Sequence, residues 1–351
     1  MNKKQLLMYG VIALILAALI YSQVRTFRHF DWATFWSQTD QVSGFHLLHA
    51  VVLIYLTYIL RALRWKIFLR PSRPSAKLGS LVGPTMIGFT GLALLGRPGE
   101  LIRPYLIARK NDLSFPSQLG VWAVERIFDI GAFTILLVLT TFVATAPKRL
   151  GAYAAFQKAG IAFAVLSVGL TVAAIAVHRS GDALAGWVER RFSGKLAHLG
   201  ERAAIRIREF RSGLNAIHGP GSFFALLAVS LILWCMIALS YKEVTHAYGI
   251  EALEIPQTQV LLLMGSSMVG SIIQLPGVGG GSQLATIPVL RHIFDVPEEL
   301  AASCGIMLWL VTFVSVIPLG LILARREHLS LRKLSQESQT AEQAEETVPS
   351  G

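Results

Sequence analysis

The sequence predicts an all-α fold: a polytopic helical membrane protein with about six full spans plus two re-entrant helical hairpins in an inverted-repeat arrangement. Three observations carry that expectation. Of 351 residues, 53% are hydrophobic and only 15% charged, whereas about a quarter of a soluble domain is charged. Several apolar runs approach the ~20 residues needed to cross a ~30 Å hydrocarbon core. The longest polar interval, residues 179–219, is too short and too basic to be a separate soluble catalytic domain. The net charge of +11 reads as the lysine and arginine excess of cytoplasmic loops rather than as a nucleic-acid surface. Cys235 and Cys304 stand alone in apolar segments and suggest neither a disulfide nor a metal site.

The first span is expected at residues 6–23. It is read as uncleaved, because YSQVRTF and no small-x-small site follows its apolar core. A near charge-balanced segment with Trp32 and Trp36 then suits an outside loop. The second span covers 44–62. The loop after it holds Arg61, Arg64, Lys66, Arg70, Arg73 and Lys77 without an acid, so it is expected in the cytoplasm. Residues 78–95 are apolar but broken by Gly79, Gly83, Pro84, Gly88 and Gly91, and GRPGE and a polar stretch to Lys110 follow. Further spans are read at 118–142, 155–178, 222–247 and 300–324. Between them, residues 179–219 set eight bases against four acids. Apolar residues there recur at helical spacing, which predicts a cytoplasmic amphipathic helix near 183–213. Residues 258–275 are apolar with Gly265, Ser266, Ser267, Gly270 and Ser271, and QLPGVGGGSQ follows. The expected transmembrane domain is 1–329, with a disordered polar tail at 330–351.

Charge bias fixes the layout. If residues 78–95 crossed outward, Arg97, Arg103, Arg109 and Lys110 would lie outside. If 78–110 and 258–293 instead enter and return on the same side, every loop obeys the bias and both termini are cytoplasmic. The two halves are then one another turned over. Inverted repeats with interrupted helices point to a site between the halves, where broken backbone is shielded from lipid.

The chemistry-bearing residues fall at these breaks. Gly96-Arg97-Pro98-Gly99-Glu100 reads as the tip of the first hairpin. Arg97, Glu100 and Arg103 are three apart and share a side of the following helix. Two guanidinium groups near a helix N-terminus suit an anion, most simply a phosphate. The alternative is that Glu100 and Arg103 only pair and hold the hairpin. Glu125 and Asp129 share a face, with Arg126 a quarter turn away. They pair with the first arginines, accept a proton or cationic head group, or form a structural network. In the second hairpin Gly277, Gly279 and Gly280, after Pro276, are expected to turn the chain and offer backbone N–H groups to a ligand, with Gln274 and Gln283 flanking them as neutral hydrogen-bonding groups. No activated nucleophile, metal-ligand cluster or phosphate-binding lysine motif accompanies them. The chain is therefore expected not to be an enzyme and to use no cofactor or metal.

GRPGELIRPYLIARK, then VERIFD, then a late PGVGGGSQ, resembles the lysylphosphatidylglycerol synthase transmembrane region family, which are flippase-like, UPF0104-like integral membrane proteins. The resemblance runs over about residues 10–325. It implies that the protein moves a lipid between leaflets and that its motifs sit on re-entrant helices. Bifunctional members add a soluble aminoacyl-transferase domain, which this sequence lacks, so lysyl transfer is not implied. Many members carry an acid after the late glycines. Here the neutral Gln283 stands nearest, which favours an anionic or neutral lipid over a cationic one.

The expected function is translocation of a phospholipid or polyprenyl-linked lipid in the cell inner (plasma) membrane. Arg97, Arg103 and Arg126 would engage the phosphate, and Glu100, Glu125 and Asp129 would hold those arginines or sense protons. The expected partners are a lipid with a phosphate-containing head group and the membrane, not nucleic acid, with a homo-oligomer left open. Two rivals stand beside it: a membrane transferase acting on a lipid-linked donor at Glu125 and Asp129, and a lipid-binding scaffold working through the 183–213 helix.

Overall fold

A computed structural model describes residues 31–143, 150–192, 197–217, 219–272, 274–275 and 279–327. The expected first span, the loop with Pro147, Lys148 and Arg149, the tail, and Pro276 and Gly277 lie outside them. The described chain is helical apart from one two-residue antiparallel ladder. It is a multi-pass membrane protein. Five of its helical stretches are long and apolar enough to cross a bilayer by length and composition: Gly44–Leu69, Leu78–Leu95, Gln157–Arg191, Gly219–His246 and Glu298–Arg326.

A short helix, α1 (Trp32–Asp40), opens the described chain, capped by the Asp31 carboxylate on the Ala33 and Thr34 amides. α2 (Gly44–Leu69) has no break after residue 62. This corrects the expected loop: Arg61 and Arg64 are helical and buried. Charge bias misplaced them because it treats every arginine as seeking water, whereas these two meet carboxylates inside the protein.

The first hairpin is α3 (Leu78–Leu95), a 3-10 turn (Arg97–Leu101) and α4 (Ile102–Lys110). Gly96, at φ 71°, makes the turn. The arms touch backbone to backbone. A side chain on Gly99 would strike the Gly91 carbonyl, and one on Gly88 would strike the Arg103 backbone. α5 (Phe115–Val143) carries Glu125, Arg126 and Asp129, and it is not among the five apolar stretches.

The stretch expected as one surface helix over 183–213 is two. α6 runs unbroken from Leu150 to Arg191, and α7 (Ala197–Leu214) folds back between α6 and α5. Gly120 of α5 and Gly213 of α7 let those two backbones meet. Of the apolar face read from the sequence, Val188, Ala203, Phe210 and Leu214 are half-buried, whereas Leu184 and Leu199 stay exposed.

α8 (Gly219–His246) packs along α2 and forms the centre of the main core with Ile54, Tyr58, Leu233, Trp234 and Tyr241. The second hairpin is α9 (Gln257–Gly270), β1 (Gln274–Leu275), β2 (Gly279–Gly280) and α10 (Gly281–His292). Gly270 faces the Gly281 carbonyl so closely that a side chain would collide with it. The last expected span, 300–324, is interrupted. α11 (Glu298–Trp309) passes through a π-helical turn (Leu310–Val314) before α12 (Ile317–Arg326). Pro318 explains part of this break, since it offers no N–H to the preceding turn.

Candidate functional site

Spacing on two helices builds the site. Arg61 and Arg64 are three apart on α2, and Glu125 and Asp129 are four apart on α5, so each pair shares a face. Arg64 is fully buried. It donates to Glu125 Oε1 at 2.6 Å, Asp129 Oδ1 at 2.7 Å and Ser230 Oγ of α8 at 3.0 Å. Arg103 of α4 grips the same Glu125 with both terminal nitrogens, one of them at 3.0 Å. Glu125 is thus sealed between two guanidinium groups and has no exposed surface. Asp129 Oδ1 also accepts from the Trp234 indole at 3.2 Å. Aromatic faces complete the packing: Arg61 stacks 4.7 Å from the Phe89 ring centre and Arg103 5.2 Å from Trp65.

Arg61 and Arg126 are held less completely. Arg126 lies 3.2 Å and Arg61 3.9 Å from Asp129 Oδ2, both outside hydrogen-bond geometry. The Nε atoms of both arginines are buried with no hydrogen-bond partner. Both line a cavity of about 310 Å³, together with Arg97, Glu100 and Asp129. Its remaining wall is hydroxylic (Thr57, Tyr58, Tyr241, Ser267) and apolar (Phe163, Ile237, Met264, Phe313). The site therefore offers unsatisfied cationic donors beside an apolar surface.

The two hairpins meet at this cavity. Arg97, at the first tip, pairs with Glu100 and donates to the Ser271 carbonyl at 2.7 Å and the Ile272 carbonyl at 3.4 Å. Those carbonyls lie just past the end of α9, where no helical N–H remains to bind them. A guanidinium is a natural cap there.

Of the residues read from the sequence, Arg97, Glu100, Arg126 and Asp129 line the cavity. Arg103 and Glu125 are turned to each other instead. In the second hairpin, Gln274 and Gly280 are register partners, with Gly279 in the same short ladder. Gln283 is half-buried, accepts from Ser282 Oγ at 3.0 Å and does not line the cavity. That hairpin reaches the cavity through Ser267–Ile272. Arg61 and Arg64 were missed. Their i,i+3 spacing beside Trp65, on an unbroken helical pattern, was the available signal.

A family model described as the lysylphosphatidylglycerol synthase TM region matches residues 6–320. The chain belongs to this family. Members with which it shares sequence include two UPF0104 membrane proteins of Methanothermobacter thermautotrophicus. One is 24% identical over 78% of this chain and 83% of the relative, the other 24% identical over 75% and 77%. The chain is also 25% identical to Glycosyltransferase AglD of Haloferax volcanii over 74% of its own length. That match spans only 45% of the glycosyltransferase. It nonetheless overturns the expectation that this chain is not an enzyme, since a similar protein carries a transferase name. No solved structure matches the chain.

Proposed function

We propose that this protein binds the phosphate-bearing head group of a lipid in the cavity between its two hairpins and passes it between leaflets. The observation that carries this reading is that buried Arg61 and half-buried Arg126, both incompletely satisfied, share one cavity with an apolar wall. Charges at membrane depth persist where they meet partners or ligands. Arg61, Arg97 and Arg126 take the phosphate. Arg64, Arg103, Glu125 and Asp129 form the frame that holds α2, α4 and α5 in register. Acyl or polyprenyl chains remain in the bilayer against Phe163, Ile237 and Phe313. In this reading the hairpins are re-entrant, the six-span layout is inverted about the cavity, and the protein sits in the inner membrane with both termini cytoplasmic.

Reconstituted vesicles with a reporter phospholipid in one leaflet test it. The full chain should speed exchange between leaflets, and Arg126→Gln should slow it at least about tenfold, the scale of losing a charge-assisted contact in a dry site. Exchange no faster than in empty vesicles would sink the reading.

A second reading is favoured by the match to the glycosyltransferase. The cavity would present a lipid-linked phosphate for group transfer, with Asp129 and Glu100 as the carboxylates that line it. Buried Glu125 is unsuited to that role, because both its oxygens are bound by arginines. New lipid product in the same vesicles, rather than unchanged lipid in the other leaflet, would favour it.

A further inference from the structure

The charges around the cavity do not cancel. Arg61, Arg64, Arg97, Arg103 and Arg126 stand against Glu100, Glu125 and Asp129. Five bases and three acids leave an excess of two positive charges. Arg97 and Glu100 neutralise each other at the hairpin tip, and Glu125 is enclosed by Arg64 and Arg103. Asp129 then faces Arg61 and Arg126, with Glu125 Oε2 a further 3.5 Å from Arg126, while Arg64 shares Asp129 from behind. Side-chain exposure is 9% for Arg61 and 34% for Arg126, so water screens Arg61 hardly at all. Uncompensated charge in such a place is costly unless a ligand supplies the counter-charge.

We infer that the cavity selects a lipid whose head group carries two negative charges, a phosphate monoester or a diphosphate, over a lipid with a single phosphodiester charge. This rests on the phosphate-lipid reading above and narrows it. Arg61 and Arg126 are the selecting residues, because both line the cavity and neither makes a hydrogen bond to a carboxylate, whereas Arg64 and Arg103 do not line it and are bound to Glu125. A monoester has three unshared terminal oxygens to meet two guanidinium forks, whereas a diester has two and half the charge. The other groups lining the cavity that carry charge or titrate are Arg97, Glu100, Asp129, Tyr58 and Tyr241. No histidine or lysine is among the residues that line it. The discrimination should therefore follow the second ionisation of the phosphate monoester, near pH 6.

The test uses the purified full chain in detergent with phosphatidic acid and phosphatidylglycerol of identical chains, and retention measured by mass spectrometry of the intact complex. At pH 8 phosphatidic acid should be retained at least about tenfold better, the scale of one added charge contact after desolvation. At pH 5 the ratio should fall below about threefold, as the monoester becomes singly charged. Arg61→Gln should weaken retention of both lipids at pH 8, phosphatidic acid by the larger factor, and so lower the ratio. Equal retention of the two lipids at pH 8 overturns the selection but leaves a phosphate-lipid site standing. Retention of neither lipid removes the underlying reading itself. A ratio that stays high at pH 5 also overturns the proposal, because charge would not be what is read. The wild-type comparison stands alone if the variant fails to fold.

Discussion

At the residue scale, Arg64 decides the most. Its guanidinium joins α2, α5 and α8 through Glu125, Asp129 and Ser230. Arg64→Met strands two carboxylates in a dry interior, and removing one partner of a buried pair costs about 3–5 kcal/mol. The thermal midpoint of the purified protein should drop accordingly. Arg64→Lys should recover only part of it, because one ammonium cannot serve both carboxylates with a planar fork. A midpoint unmoved by Arg64→Met would show that Glu125 and Asp129 find partners elsewhere. Trp234→Phe removes one neutral donor from Asp129 and should cost about 1–3 kcal/mol, the range for a buried acceptor losing a bond. The sequence pointed to Glu125, Arg126 and Asp129 because charges in an apolar run stand out. It did not point to Arg61 and Arg64, which look like the ordinary basic end of a span. Which of the arginines face a cavity and which face a carboxylate depends on side-chain directions across helices, and no spacing rule supplies them.

At the element scale, glycines set how closely helices approach. Gly99 sits on the Gly91 backbone, and Gly320 of α12 sits on Thr90 of α3. Gly99→Val and Gly320→Val should each destabilise by about 1–3 kcal/mol, as overpacking does, and Gly99→Val should also open the first hairpin. Gly79, with open space around it on α3, is the contrast. Gly79→Ala should be neutral or stabilise by up to about 1 kcal/mol, from helix propensity alone. Melting curves of the three variants check the set, and equal effects at all three positions would refute close packing as the cause. The positions of the breaks were legible in the sequence, since Gly96-Arg97-Pro98-Gly99 and Gly279-Gly280-Gly281 mark turns by composition. The π-helical turn at Leu310–Val314 was not, because LVTFV holds no glycine or proline and suits a straight helix, and Pro318 lies beyond it. Nor was the division of 183–213 into the end of α6 and a separate α7, since both parts share one helical period.

For the whole molecule, the decisive arrangement is the contact of the two hairpins through Arg97 on the Ser271 and Ile272 carbonyls. If lipid passage requires the hairpins to part, a bond between them should stop it. The double variant Arg97→Cys and Ser271→Cys should cross-link under mild oxidation and lose leaflet exchange, with recovery on reduction to the level of Arg97→Cys alone. Exchange that continues at full rate in the cross-linked protein would mean that the hairpins form a fixed frame. Among the described residues their polar contact is a guanidinium on two carbonyls, and that is the physical ground for expecting them to part.

Composition and period determined by themselves that this is a helical membrane protein, since backbone hydrogen bonding in lipid leaves few other folds and a long apolar run has few other uses. They also determined where the chain must bend and which charges are out of place. Only the tertiary structure decided that Glu125 is locked away, that Arg61 and Arg126 share a cavity, and that the second hairpin reaches it through Ser267–Ile272. The reason is range. Helix formation and membrane burial act on neighbouring residues, whereas the pairing of charges at 61, 64, 103, 125 and 129 depends on how separate helices are brought face to face.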